Sequence, residues 1–291
     1  SGDGGQAAEP SNWGVALEFQ YPYLEGPPLV RQRYQEGGWD AVDRLYADVP
    51  DTTLAVTSPE RGADAAFADP AIDVAPDGNW ERVVGPNGTE AAELGTAWIA
   101  SAFMAPSWES DFQENVISPT RVVHTGSDGE PPAFGAITYD PAAVTGWRGD
   151  RMAVFQRGTD TATVWRTAWA DAASATAFAD AYRELLDYRG ASAAEQESVY
   201  TFAETSGYEG AVAVVTDGDR ATIVTAPSAD ELSTVAPDVS VGGADGDGAG
   251  GSDGETDADT GDGAATGDEA GSGGADGNES ADGSSDGLPG F

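Results

Sequence analysis

The chain has 291 residues, 51 of them acidic and 13 basic, for a formal net charge of -38. That balance excludes a nucleic-acid surface, whose phosphates need clustered Lys and Arg, and argues against contact with anionic membranes. The absence of cysteine excludes disulfides, thiolate-held zinc, iron–sulfur clusters and thiol nucleophiles together.

Every basic residue is Arg, and Lys is absent. A surface this negative repels itself in dilute buffer, whereas at molar salt the Debye length falls to roughly 3 Å and most of that repulsion is screened. The acidity is not confined to the C-terminal region. Residues 1–238 hold 38 Asp and Glu against all 13 Arg, a net charge of -25. The folded part is therefore expected to belong to a halophile in its own right.

Residues 1–12 read as a flexible start, because Ser1-Gly2-Asp3-Gly4-Gly5-Gln6 has loop composition; further sequence is expected upstream. Residues 13–130 read as mostly helical. Pro27 and Pro28 suit a first turn, and Leu29, Val30 and Tyr34 follow at helical spacing until Gly37-Gly38 stops the run. A second helix follows with Trp39, Val42, Leu45 and Tyr46 on its inner face, ending at Val49-Pro50. A third is predicted over Glu90–Met104, with Leu94, Trp98, Ile99 and Phe103 on one side and Pro106 as the stop.

Residues 131–238 change to strand patterns. Arg151–Gln156 and Thr161–Ala168 form a hairpin around Gly158-Thr159-Asp160, and Asp171 caps a helix through about Tyr188. Ala211–Thr216 and Arg220–Thr225 form a second hairpin, and Ser228 starts a short last helix. The predicted class is α+β: a helical N-terminal region, then a β-hairpin, helix, β-hairpin unit with an antiparallel sheet. No run of 18 apolar residues suggests a transmembrane helix.

Residues 239–291 contain 17 of the 39 Gly, no Trp or Tyr, and 13 acids without Arg. Such a composition cannot bury enough apolar area to offset ordering, so a disordered acidic linker is predicted, spanning roughly 40 Å. Asp245, Asp247, Asp253, Asp257 and Asp259 do not meet the register of a calcium loop.

Catalytic signals are sparse. His124 is the single histidine and reads as a loop or capping residue in Val122-Val123-His124-Thr125-Gly126. No Ser lies in a nucleophile elbow, and Glu195 and Glu197 read as solvated surface. Trp39, Trp98, Trp165 and Trp169 are assigned to the core, leaving Trp13, Trp80 and Trp108 as the better ligand-facing aromatics. No catalytic, cofactor-binding or metal-ligating residue is assigned, and no cofactor is expected. Asn87-Gly88-Thr89 and Asn278-Glu279-Ser280 are sequons, making Asn87 and Asn278 glycosylation candidates if the protein is exported.

Two resemblances add expectations. Leu288-Pro289-Gly290-Phe291 resembles the Pro-Gly-Phe motif of archaeal C-terminal sorting signals, with Pro289, Gly290 and Phe291 as the motif. In that family a hydrophobic helix follows, an archaeosortase removes it, and a lipid anchor holds the protein in the envelope. The resemblance implies an extracellular, cell-surface protein anchored at its C-terminus, with the archaeosortase and the envelope or surface layer as partners.

The second rests on Glu36-Gly37-Gly38-Trp39-Asp40-Ala41-Val42-Asp43-Arg44-Leu45-Tyr46 with Thr52-Thr53 and Pro59-Glu60, and on Gly146-Trp147-Arg148-Gly149-Asp150-Arg151 before Val164-Trp165. These segments are similar to the C-terminal region of gluzincin-type metallopeptidase homologues found as haloarchaeal surface proteins. The zinc-binding His-Glu-x-x-His of active members would lie upstream of Ser1, and Ser58 stands where the pattern shows His. The expected function is a surface-displayed, envelope-anchored protein with a non-catalytic binding or structural role. The alternative is the C-terminal part of a metallopeptidase-like protein.

Overall fold

A computed structural model describes residues 10–126, 129–132, 135–203 and 206–241. The described residues belong to one compact unit. Helix α1 spans Trp13–Ala47 and opens with Asn12, whose side chain accepts the Val15 amide at 3.0 Å. Pro22, Pro27 and Pro28 lie inside it, so the helix does not start at the prolines as the sequence suggests. Packing of Leu17, Tyr21 and Leu24 into the core outweighs the missing amide donors. The predicted stop is real in geometry: Gly38 adopts φ 62°, a region open to glycine, and divides α1 into two helical segments.

Helices α2 (Thr53–Thr57) and α3 (Pro59–Asp64) follow, capped by Thr52 and opened by Pro59 respectively. Strand β1 is the short pair Glu81–Arg82. Helix α4 (Gly95–Glu109) is buried on nearly every side. It starts five residues later than expected because Ala92 bridges to Met152 through both backbone bonds, at 2.9 and 2.8 Å. It also runs through Pro106, whose lost hydrogen bond is tolerated in a helix enclosed by core. A turn of helix, α5 (Pro119–Val122), follows before the next strand.

Strands β2 (Trp147–Arg157) and β3 (Asp160–Trp169) form the first predicted hairpin. Asp171 accepts the Ser174 amide at 2.8 Å and starts α6 (Ala172–Tyr188), with Phe178, Tyr182, Leu185 and Leu186 inward as their spacing requires. Strands β4 (Ala191–Ala193) and β5 (Val199–Phe202) come next. The second predicted hairpin follows as β6 (Ala211–Asp217) and β7 (Arg220–Ala226), and α7 (Leu232–Val235) closes the fold.

The protein is thus α+β, with one seven-stranded antiparallel sheet in the order β1-β2-β3-β7-β6-β5-β4. Helix α6 carries the chain from β3 to the far edge, and the last four strands return to pair β7 with β3. One face packs Trp165, Val212, Val214 and Ile223 with residues of α1, α4 and α6. The other packs Phe155, Val164, Ala213 and Val224 with Ile72, Trp80 and α7. Burial on both faces explains why Ala211-Val212-Ala213-Val214-Val215 is a continuous apolar run rather than an alternation. Among the described residues no helix is long and apolar enough to cross a membrane.

Candidate functional site

The sequence candidates scatter over the fold. His124 is exposed, and its backbone amide donates to the Ala136 carbonyl at 2.8 Å in a strand-like pairing beside the Val123–Ile137 bridge. Glu195 and Glu197 are exposed. Asn87 sits exposed in the turn Pro86–Gly88 with φ 69°. Asn278 and the Pro289-Gly290-Phe291 motif lie outside the described residues. Trp165 and Trp169 are core, and Trp98 packs partly buried against Trp165 at 5.4 Å.

Two tryptophan assignments change. Trp80, expected to face a ligand, is buried beneath the sheet with the Arg157 guanidinium 4.5 Å from its ring centre. Trp39, expected in the core, is 69% exposed. The break at Gly38 rotates the second segment of α1, so Ala41 and Val42 turn inward and Trp39 and Tyr46 turn out. Trp13 and Trp108 are half-buried.

The Gly146–Arg151 motif performs scaffold work. Trp147 is core, and a Cβ on Gly149 would sit 1.9 Å from the Ala68 carbonyl oxygen. The Asp150 carboxylate is fully buried and accepts three N–H groups: Leu94 and Gly95 amides at 2.9 Å each and the Trp165 indole at 3.0 Å. It thereby caps α4 from a neighbouring strand, serving the orphan donors of the helix start. Burial nonetheless pushes its carboxyl above the ordinary range, against the lowering by those donors. Arg151 pairs with Glu93 at 2.7 Å and Asp69 at 3.0 Å. Ser58 donates to Asp140 at 2.5 Å, and Arg61 pairs with the same carboxylate. Among the described residues no group of three or more His, Cys, Asp or Glu is placed to hold a metal ion.

The feature least legible in the sequence is α1. Its inner face is acidic: Glu25 is buried and accepts the Tyr139 amide at 2.7 Å, while Glu18 accepts from the Ser101 hydroxyl at 3.4 Å. Burial raises both carboxyls above their ordinary value. Burial, then the neighbouring Glu18 and Glu25, pushes the Tyr21 phenol up to about 12. The Tyr139 hydroxyl donates to the Leu17 carbonyl at 2.7 Å, and the Tyr21 ring meets Tyr139 edge-on at 5.7 Å. This cluster clamps α1 to α4 and to the segment around Tyr139.

The outer face of α1 is apolar. At ~100° per residue, Val15, Phe19, Tyr23, Val30 and Tyr34 share an arc of about 100°, and all are exposed, Phe19 by 76% and Tyr23 by 79%. None of the carboxylates of that segment, Glu18, Glu25 and Glu36, falls within the arc. Trp39 extends the stripe past the break, its ring 5.2 Å from Tyr34. Beside it, the second segment of α1 walls an open cleft of about 510 Å³ with α2, α3, Arg33, Asp51 and Phe67. Alternating apolar stripes at 15/19/23 and 17/21/24 are both helical in spacing, so the sequence alone cannot say which meets the core. The acids mark the inner face, the reverse of the usual arrangement.

The geometry defines an α+β domain whose antiparallel sheet is covered on both faces and whose first helix presents an apolar, carboxylate-free surface. Residues 81–236, more than half of the chain, match DUF8575, a domain of unknown function, and the chain belongs to that family. The match begins at β1 and ends one residue beyond α7, so it takes in the whole sheet, and α1, α2 and α3 precede it. No curated protein and no solved structure gives a significant match.

Proposed function

We propose that this is a surface-displayed, envelope-anchored protein of a halophilic archaeon, whose folded part has a non-catalytic binding or structural role. The observation that carries the reading is the distribution of charge. Residues 1–238 carry 38 acids and 13 Arg, and nine of those arginines, among them Arg61, Arg151, Arg157 and Arg189, lie within ion-pair distance of a carboxylate. Most of the cations are thus paired within the chain, which leaves a large excess of carboxylates, an arrangement suited to molar salt. The acidic Gly-rich segment over 239–291 and its closing Pro-Gly-Phe support tethering at the C-terminus. The apolar outer face of α1 supports a binding role, because it gathers Val15, Phe19, Tyr23, Val30 and Tyr34, all exposed, on one side of a helix.

The test is cell fractionation with protease treatment of intact halophilic cells expressing the full-length gene. The expected result is a membrane-associated protein cleaved by external protease, which accumulates as an uncleaved precursor of higher mass when Pro289-Gly290-Phe291 is replaced by alanines. Recovery in the cytosol, protected from external protease, would overturn the reading.

A further inference from the structure

We propose that the outer face of α1 pairs with the same face of a second copy of this chain, the two helices packing antiparallel across a two-fold axis near Gly26. The inference rests on the binding role proposed above and names the partner.

Four observations converge on a second copy. First, the stripe is large enough. Scaling aromatic side-chain areas of ~150–250 Å² by the exposures of Phe19, Tyr23, Tyr34 and Trp39, and adding Val15 and Val30, gives on the order of 700 Å² from each chain. A standard stable interface takes about 800 Å² from each partner.

Second, its spacing is nearly the same in both directions. Phe19, Tyr23, Gly26, Val30 and Tyr34 stand at steps of four, three, four and four residues. An antiparallel copy therefore sets Phe19 against Tyr34 of the second copy and Tyr23 against its Val30. This self-complementarity is what an isologous contact requires.

Third, Gly26 lies in the middle of the stripe, and a Cβ built on it meets nothing within 4 Å. A glycine inside a helix weakens it relative to alanine, and no neighbour among the described residues requires this one. A second helix backbone crossing at that point does require it, since small residues set how closely helices approach.

Fourth, with 51 acidic residues in the chain, a contact between two copies must avoid setting carboxylate against carboxylate. The α1 arc is free of carboxylates, and its Arg33 is already paired with Glu36 of the same helix at 2.9 Å. The acidity of the chain disfavours an anionic lipid surface as the occupant.

The chain lacks cysteine, which makes single-cysteine cross-linking clean. The full chain at molar salt is expected to sediment as a dimer at micromolar concentration. The Phe19→Glu/Tyr34→Glu double variant is expected to sediment as a monomer with unchanged far-UV circular dichroism. Val30→Cys, which keeps Gly26, should be joined into a dimer by a bifunctional maleimide, and Tyr46→Cys, outside the stripe, should not. A wild-type chain that stays monomeric up to about 100 μM would overturn the proposal, since even weak specific dimers fall near that range. So would a dimer that survives the double substitution. Co-sedimentation of monomeric chain with phosphatidylglycerol vesicles, lost on the same substitutions, would assign the face to lipid and also overturn it. The two readings fail separately: a monomer on the cell surface sinks only the pairing, and a dimer in the cytosol sinks only the display.

Discussion

The indole N–H of Trp165 donates to the Asp150 carboxylate at 3.0 Å, joining adjacent strands at the point where α4 begins. The same oxygens hold the first amides of α4, so one carboxylate links sheet and helix. Replacing Asp150 by Ala strands three buried donors. The expected loss is about 3 kcal/mol or more of unfolding free energy, measured by denaturant titration at molar salt. Asp150→Asn keeps one acceptor and should lose less. Equal stability of all three proteins would remove the capping account.

Gly149 is required for room rather than for backbone freedom. Its Cβ position is occupied by the Ala68 carbonyl, and Ala68 in turn donates to the Arg148 carbonyl at 2.9 Å. Gly149→Ala should cost about 1–3 kcal/mol by overpacking. A change within ±0.5 kcal/mol would mean that the 67–70 segment yields freely.

The buried carboxyls predict the sign of the pH dependence. Glu18, Glu25 and Asp150 all bind protons more tightly in the folded state. Their contribution is complete below the ordinary value, 4.5 for Glu25, and is lost as pH rises through the raised folded value. Thermal stability at constant molar salt should therefore increase as pH falls from 7 toward 5. Glu25→Gln, which keeps an acceptor for the Tyr139 amide, should flatten the slope. Asp171 works in the opposite direction, held low by the Ser174 amide, and only below its ordinary 3.8. A melting temperature independent of pH over this range would contradict the assignment.

Salt acts on the other carboxylates. Residues 1–238 should lose helical circular dichroism on dialysis from molar to low salt, because a net charge of -25 is then unscreened. Retention of the full signal at low salt would count against the halophilic reading.

Much of the architecture is local and could be read directly. The two hairpins, the Asp171 cap with α6 behind it, the break at Gly37-Gly38 and the α+β class each rest on residues a few positions apart. Strands β4 and β5 escaped because they are short, and they join the sheet only through the pairing of β5 with β6, later in the chain. The start of α4 escaped because its cap, Asp150, is 55 residues away from Gly95.

The sequence by itself determined the charge state, the set of strong local elements and the acidic tail, since composition and short-range spacing suffice for these. Only the tertiary structure decided which stripe of α1 meets the core, placing Glu18 and Glu25 inward and Phe19 and Tyr23 in solvent. It also exchanged the expected places of Trp39 and Trp80. The physical reason is that periodicity defines a face without defining what covers it. That is settled by long-range partners, here Tyr139, Ser101 and the buried sheet.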